Sequence, residues 1–474
     1  MASALFNLLV PGAPHHKRTE REILPTTAAE ARVRSQRFLK EIAIKPGLRN
    51  PSLISSCMGT IKTIMLAFPQ YSVTDKKLAP AYQSVIRALR RGTKFVVVHQ
   101  ASSRAQIEKW FSKGGHAKNA VVYVPIPDYV NFTDWAEDGY VAVTDGLTGN
   151  PYLIEPWEFP RGGDALIADV AEDHTSIRAS QAPLIFQGGN CLIGDRFWLL
   201  GKDYFADSAE LLQKGRPPVQ IPKDVSPEQF VRKLFTDYID TKRKLIVIGT
   251  DKRIPIQEYY GTKEGKEFFL DLAADGAGTF QPIFHIDMFI TLIGPAGRRQ
   301  FEVMVGDPAL ADQRLGTQSP YALKDVYDAI AKSLSDRGMK VHRNPLVHWP
   351  TVGRMISLKE LGDLSTQPEN GGLLPAVKEL IQLGAQGTTD IAVRSWHHIT
   401  WNNCLVENSA RSGKHVYLPT FGYGPYQKLA AIDRAMKSTW EKLGFEVHAL
   451  GDFNEFAARQ GVVHCIKKYI ERGD

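Results

Sequence analysis

The chain has 474 residues, is 43% hydrophobic and 23% charged, and carries a formal charge of +7 with a pI near 9.0. That composition excludes a wholly disordered or collagen-like protein, and the length supports a large buried core. Lys and Arg fall in scattered pairs (Lys76-Lys77, Arg90-Arg91, Lys467-Lys468) rather than in a tract, so they read as solvated surface, and no nucleic-acid partner is expected.

Residues 1–50 are basic, broken by Pro11, Pro14, Pro25 and Pro46, and hold one helical stretch around 28–44. They read as an arm, here bounded at 1–54, on a single domain over 55–474. Strands are predicted at 61–68, 94–99 and 121–124, with helices at 79–91 and 103–113 between them. Further strands are predicted at 140–143, 184–186, 191–193 and 197–200. A helix at 227–238 opens on Ser226 as N-cap and precedes a strand at 245–249. Strands follow at 284–293 and 301–305, then a helix at 323–337 and a strand starting at 340–343. The C-terminal part reads as strands at 398–407 and 415–419, a helix at 429–443, and strands at 446–450 and 464–469. Residues 205–225 and 355–390, rich in Gly, Pro and polar residues, read as inserted loops. Roughly five strand–helix–strand units recur, which supports an α/β fold class.

The four cysteines, Cys57, Cys191, Cys404 and Cys465, are too widely spaced for a CxxC metal pair and too few for a disulfide framework. A reducing, cytoplasmic setting is expected. No apolar run reaches the length of a membrane span, and residues 2–14 lack the basic start of a signal peptide, so no membrane association is expected.

Four short segments could carry chemistry. Asp134-Trp135-Ala136-Glu137-Asp138-Gly139 places carboxylates just before a predicted strand, at a pocket mouth or in a solvated turn. Phe186-Gln187-Gly188-Gly189-Asn190 places two glycines between strands, for close approach of a ligand or for a hairpin. Phe284-His285-Ile286-Asp287 places two polar residues two apart in an apolar run. On a strand both would share a face, where burial demands pairing. Gly461-Val462-Val463-His464-Cys465-Ile466 ends in a cysteine that is either core or, given a base brought by the fold, a nucleophile. A competing pair, His398 and Cys404, would lie about 20 Å apart on one extended strand and could not work there. Cys191 is a second alternative nucleophile.

Taken together and in order, these segments resemble the guanidino-group-modifying superfamily (pentein, or amidinotransferase fold), especially the arginine, agmatine and peptidylarginine deiminases. The stretch from Lys414 to Cys465, with its Gly461-Val462-Val463-His464-Cys465 ending, carries the densest likeness. The resemblance implies a five-fold pseudosymmetric α/β propeller of ββαβ units. It implies Cys465 as nucleophile, His285 as proton shuttle, and Asp138 and Asp287 as guanidinium clamps. The reaction implied is cysteine-dependent hydrolysis of an arginine-like substrate through a covalent thiouronium. Amidino transfer to an amine and a non-catalytic binding protein stand as alternatives. Gln187 occupies a position where free-arginine and agmatine deiminases carry Glu. It and Asn190 are expected as substrate contacts. No cofactor and no metal are expected, the partner is a small guanidino compound or an arginine side chain, and self-association into a homo-oligomer is left open.

Overall fold

The structure is a computed structural model that describes residues 48–215, 219–251, 254, 257–263, 266–271, 279–297, 300–319, 323–350, 354–365, 374–382 and 384–474. The helical stretch expected around 28–44 lies outside the described residues.

The described strands pair into five separate sheets. One sheet orders Lys467–Gly473, Thr60–Phe68, Lys94–Gln100 and Val121–Ile126. A second orders Ser52–Leu53, Val141–Thr144, Pro151–Glu155 and Arg178–Gln181. The third consists of Lys244–Ile248, Phe197–Gly201 and Cys191–Ile193, and the fifth of Leu405–Ser409, Gly413–Thr420 and Glu446–Asp452. The fourth is larger, running Lys266–Asp271, Gln257–Lys263, Asp390–Thr400, Lys340–Pro350, Gln300–Asp307 and Ile290–Ala296, with Arg354–Ser357 also paired to Asp390–Thr400.

One pairing rule recurs in every sheet: an antiparallel pair, then a helix, then a third strand added in parallel. It is seen in Val141–Thr144/Pro151–Glu155 with Arg178–Gln181 and helix Ile167–His174 between. It is seen again in Leu405–Ser409/Gly413–Thr420 with Glu446–Asp452 and helix Ala430–Lys442 between. Parallel addition needs such a crossover, because a tight turn cannot reverse the chain twice. The first sheet differs in one respect. Its antiparallel partner for Thr60–Phe68 is the last strand, Lys467–Gly473, so the two ends of the described chain share one sheet.

Local sequence explains several boundaries. Ser226 accepts from Gln229 N–H and forms a full capping box, with Pro227 at the first helical position. Asp307 caps the helix Pro308–Leu315, which ends on Gly316 in the left-handed region at φ 64°.

Five expectations are corrected. Residues 184–186 join no sheet; the strand of that unit is Arg178–Gln181. The run 284–293 is not one strand: Ile286–Met288 makes a 3-10 turn and the strand starts at Ile290. The predicted strand 398–407 breaks at 401–404 into Asp390–Thr400 and Leu405–Ser409. His464 and Cys465 sit in a turn before the strand Lys467–Gly473, not on it. The two expected loops contain helices, Lys202–Gln213, Leu358–Ser365 and Leu374–Gln382. In the first of these Phe205, Ser208, Leu211 and Leu212 are buried at helical spacing, a stripe that the polar background obscures.

The acidic segment is fixed against the turn that bears Cys465. Trp135 is fully buried, stacks edge-on against Phe456, and lies so close to Gly461 that an added Cβ would be 2.0 Å from its ring. Gly461→Ala therefore overpacks this joint. It should cost about 1–3 kcal/mol, read as a lower midpoint in urea unfolding, while Ala at the exposed Gly149 loop should not reproduce that loss through packing.

Candidate active site

Backbone hydrogen bonds stitch the four segments together. Glu137 N–H donates to the Cys465 carbonyl at 3.1 Å, and Gly188 N–H to the Asp138 carbonyl at 3.2 Å. Asn190 Oδ1 accepts from Ile286 N–H at 3.0 Å and from Gln281 Nε2 at 2.9 Å, bracing the turn that carries His285 and Asp287. The paired glycines serve close approach. A Cβ on Gly188 would meet the Glu137 carbonyl at 1.9 Å, and one on Gly189 would meet His285 Nδ1 at 2.6 Å.

Cys465, His285, Asp287 and Asp138 are all buried, and they gather here. Cys465 Sγ lies 3.7 Å from Asp287 Oδ2, and Asn403 Nδ2 donates to the same sulfur at 3.2 Å. Asn403 Oδ1 accepts from His464 N–H at 2.9 Å and from Cys465 N–H at 3.2 Å, so one amide both holds the loop and faces the thiol. His285 Nδ1 faces Asp138 Oδ1 at 3.7 Å, and its Nε2 is 2.8 Å from Gln187 Oε1. A Gln oxygen can only accept, so that contact places a proton on Nε2. Tyr204 OH stands 3.5 Å from the same nitrogen. The 3-10 turn, not a strand face, is what separates His285 and Asp287: one side chain turns to Gln187 and Asp138, the other to Cys465 and His464.

Charge is tightly arranged. Arg161, itself buried, donates from Nη2 to Asp138 Oδ2 at 2.8 Å and pairs through Nε with Asp164 at 2.9 Å. Glu137 pairs with Lys467 at 2.7 Å and Lys468 at 2.9 Å, and all three are buried. This overturns the reading of Lys467-Lys468 as solvated surface. Burial, then Glu137 and Asp138, push the Asp287 carboxyl well above the usual carboxylate range. Its Oδ2 is 2.8 Å from His464 Nδ1, and its Oδ1 is buried with no hydrogen-bond partner among the described residues. Burial, then Lys467 and Lys468, hold His464 well below the usual imidazole range.

The other cysteines are poor reagents. Burial pushes the thiols of Cys57, Cys191 and Cys404 up to about 12. Cys404 lies in the turn between two strands, so the extended-strand argument against His398 does not hold, yet its raised thiol sets it aside on different grounds. Asn190 has the contacts of a brace. Sequence reasoning missed Asn403, Arg161 and the Glu137–Lys pairs. The signal for the lysines was present: two adjacent cations directly after the apolar Val462–Ile466 run.

No protein-family model matches the sequence, and no curated protein matches it. Solved structures do. The agmatine deiminase of Enterococcus faecalis superposes with TM-score 0.51 at 15% identity, covering 90% of this chain and 97% of its own. A second structure, provisionally assigned as an agmatine deiminase, gives 0.51 at 15% identity over 88% and 95%. One provisionally assigned as a peptidyl-arginine deiminase gives 0.50 at 13% identity over 90% and 99%. The chain shares the mixed α/β fold of these proteins.

Glu137→Gln would leave two buried ammonium groups without their carboxylate, at a cost of about 3–5 kcal/mol. The cost should depend on pH. Burial already lowers Lys467 from 10.5 to about 8 against the pull of Glu137. The unfolded chain therefore binds the extra proton between these values, and stability rises with pH across that window. Removing Glu137 lowers the folded value further. The deficit against wild type should thus be largest near neutral pH and shrink by about pH 9, as denaturant unfolding at both pH values would show.

Proposed function

We propose that the chain is a cysteine-dependent hydrolase of the deiminase type, acting on the guanidinium carbon of a small guanidino compound or an arginine side chain. One observation carries this reading. A thiol, an imidazole and two carboxylates from three distant segments are buried together, and the Asp287 Oδ1 acceptor has no hydrogen-bond partner among the described residues. The deiminase structures of the same fold agree with it. We further read the five sheets, the second of which includes Ser52–Leu53, as blades of a pseudo-five-fold α/β propeller. Among the described residues no helix is long and apolar enough to cross a membrane. Cys57, Cys191, Cys404 and Cys465 form no disulfide among the described residues, and we read the setting as cytoplasmic.

In this mechanism the planar cation docks against Asp138 and Asp287, whose oxygens match its fork of N–H donors. Arg161 holds Asp138 fixed through their ion pair. The Cys465 thiolate, aided by the Asn403 amide and the incoming cation, attacks the guanidinium carbon. His285, as the imidazolium that has taken up the Cys465 thiol proton, gives a proton to the departing nitrogen, leaving a thiouronium on Cys465. It then takes a proton from water, which adds to that carbon and releases the ureido product and the thiolate. Gln187 orients His285 without charge, where an acidic residue would add one.

Purified protein incubated with arginine, agmatine, methylated arginines and an arginine peptide should release ammonia or amine with a ureido product. Cys465→Ala should lower that rate by about a thousand-fold or more. Transfer to glycine or lysine without hydrolysis would instead mark an amidinotransferase, and turnover that survives Cys465→Ala would sink the mechanism.

Binding should also release a proton. Without ligand Asp287 holds its proton above the ordinary carboxylate range, and a cation at Oδ1 favours the ionised form. Affinity should therefore tighten as pH rises from the ordinary carboxylate range toward that raised value. Calorimetry of the Cys465→Ala variant with the best substrate, in two buffers of different ionisation enthalpy, should report the released proton. A binding enthalpy identical in both buffers would contradict it.

A further inference from the structure

The fifth sheet carries a cluster that the guanidino chemistry does not use. Gly413–Thr420 and Glu446–Asp452 pair in parallel, with His415 opposite Glu446 and Tyr417 opposite His448. The two-residue period of a strand puts His415 and Tyr417 on one face, with Glu446 and His448 beside them. His415 Nδ1 is 3.0 Å from His448 Nε2 and 3.5 Å from Glu446 Oε2, and His448 Nε2 is 3.7 Å from Glu446 Oε1. A tetrahedral ion with bonds of about 2.0–2.2 Å to N and O sets its ligand atoms roughly 3.3–3.5 Å apart. The three separations bracket that edge.

The tautomer fits as well. His415 Nε2 is 3.0 Å from the Ser412 carbonyl, which can only accept, so the proton of that ring sits on Nε2 and the lone pair on Nδ1 faces the cluster. A backbone carbonyl that fixes the far nitrogen in this way is the usual support of a metal-bound histidine. Three electron-pair donors converging on one point need a positive centre between them, either a proton or a metal ion. Arg90 does not fill that role, because it is engaged with Glu407 at 3.2 Å and with the Ser412 carbonyl at 2.8 Å. Glu407 is in turn committed to Arg90 and to Tyr417 OH. His415 and His448 are partly buried and Glu446 is exposed, so a fourth position faces solvent.

We propose that His415, Glu446 and His448 form a binding site for a zinc-class divalent cation that staples the two parallel strands, separate from the Cys465 centre. Two imidazoles and one carboxylate select a borderline ion such as Zn²⁺ over Mg²⁺ or Ca²⁺. The ligand spacing along the chain does not reveal the site, since His415 precedes His448 by 33 residues. This is why no metal was expected from the sequence.

The test titrates metal-free protein with Zn²⁺ by calorimetry, in the Cys465→Ala background so that thiol uptake is removed. One equivalent should bind, thermal unfolding should shift upward, and Co²⁺ in place of Zn²⁺ should give the intense visible bands of a tetrahedral site. His448→Gln should weaken binding at least about tenfold. Glu446→Gln, at an exposed position that leaves the fold intact, should weaken it too and remove the thermal shift. No saturable uptake, or uptake unchanged in both variants, would overturn the site and leave a proton shared by two histidines. Neither outcome bears on guanidino turnover by Cys465.

Discussion

The buried ion pairs of Glu137 with Lys467 and Lys468 hold the site together. They tie the acidic segment to the strand that follows Cys465, and that strand closes the first sheet against Thr60–Phe68. Three charges removed from water are tolerable only if each finds its partner, so this contact leaves little freedom in how the chain ends meet. Glu137 also donates its N–H to the Cys465 carbonyl, and the next residue is Asp138. Cys465 and Asp138, the proposed nucleophile and first carboxylate, are thereby set by one joint, made from residues more than 300 positions apart.

The remaining pieces depend on that joint through close packing. Gly188 lies against the Glu137 carbonyl and Gly189 against His285, so the glycine segment follows the acidic one at backbone distance. Asn190 then holds Ile286 N–H, and Asn403 reaches both the 464–465 turn and the thiol. A chain of backbone contacts of this kind places reacting groups more rigidly than side-chain packing alone.

The sequence made the α/β alternation, most strand positions, the Ser226 cap and the four residues proposed for the site legible. These features rest on local pattern or on motif resemblance. Three-dimensional pairing was not legible. The 3-10 turn at Ile286–Met288 looks like a strand because its neighbours are apolar. Lys467 and Lys468 look like surface because a buried ammonium is detectable only once its carboxylate is known. Arg161, between Asp138 and Asp164, sits in a Gly-rich loop with no periodic signal. The helices at 202–213 and 374–382 were hidden by polar residues around short apolar stripes.

The charge inventory around the site explains why a cation should be the ligand. Asp134, Glu137, Asp138, Asp164 and Asp287 are five carboxylates; Arg459, Arg161, Lys467 and Lys468 are four cations that pair with the first four. Asp287 faces His464 instead, and burial, then the nearby Glu137 and Asp138, raise its carboxyl. In the proposed function a bound guanidinium supplies a positive charge and lets Asp287 ionise beside Cys465. A ureido product is neutral and cannot do so. On the proposed reaction, hydrolysis removes that positive charge, Asp287 takes back its proton and the pocket loses its hold on the product. The same imbalance that draws the substrate in thus favours release after the reaction.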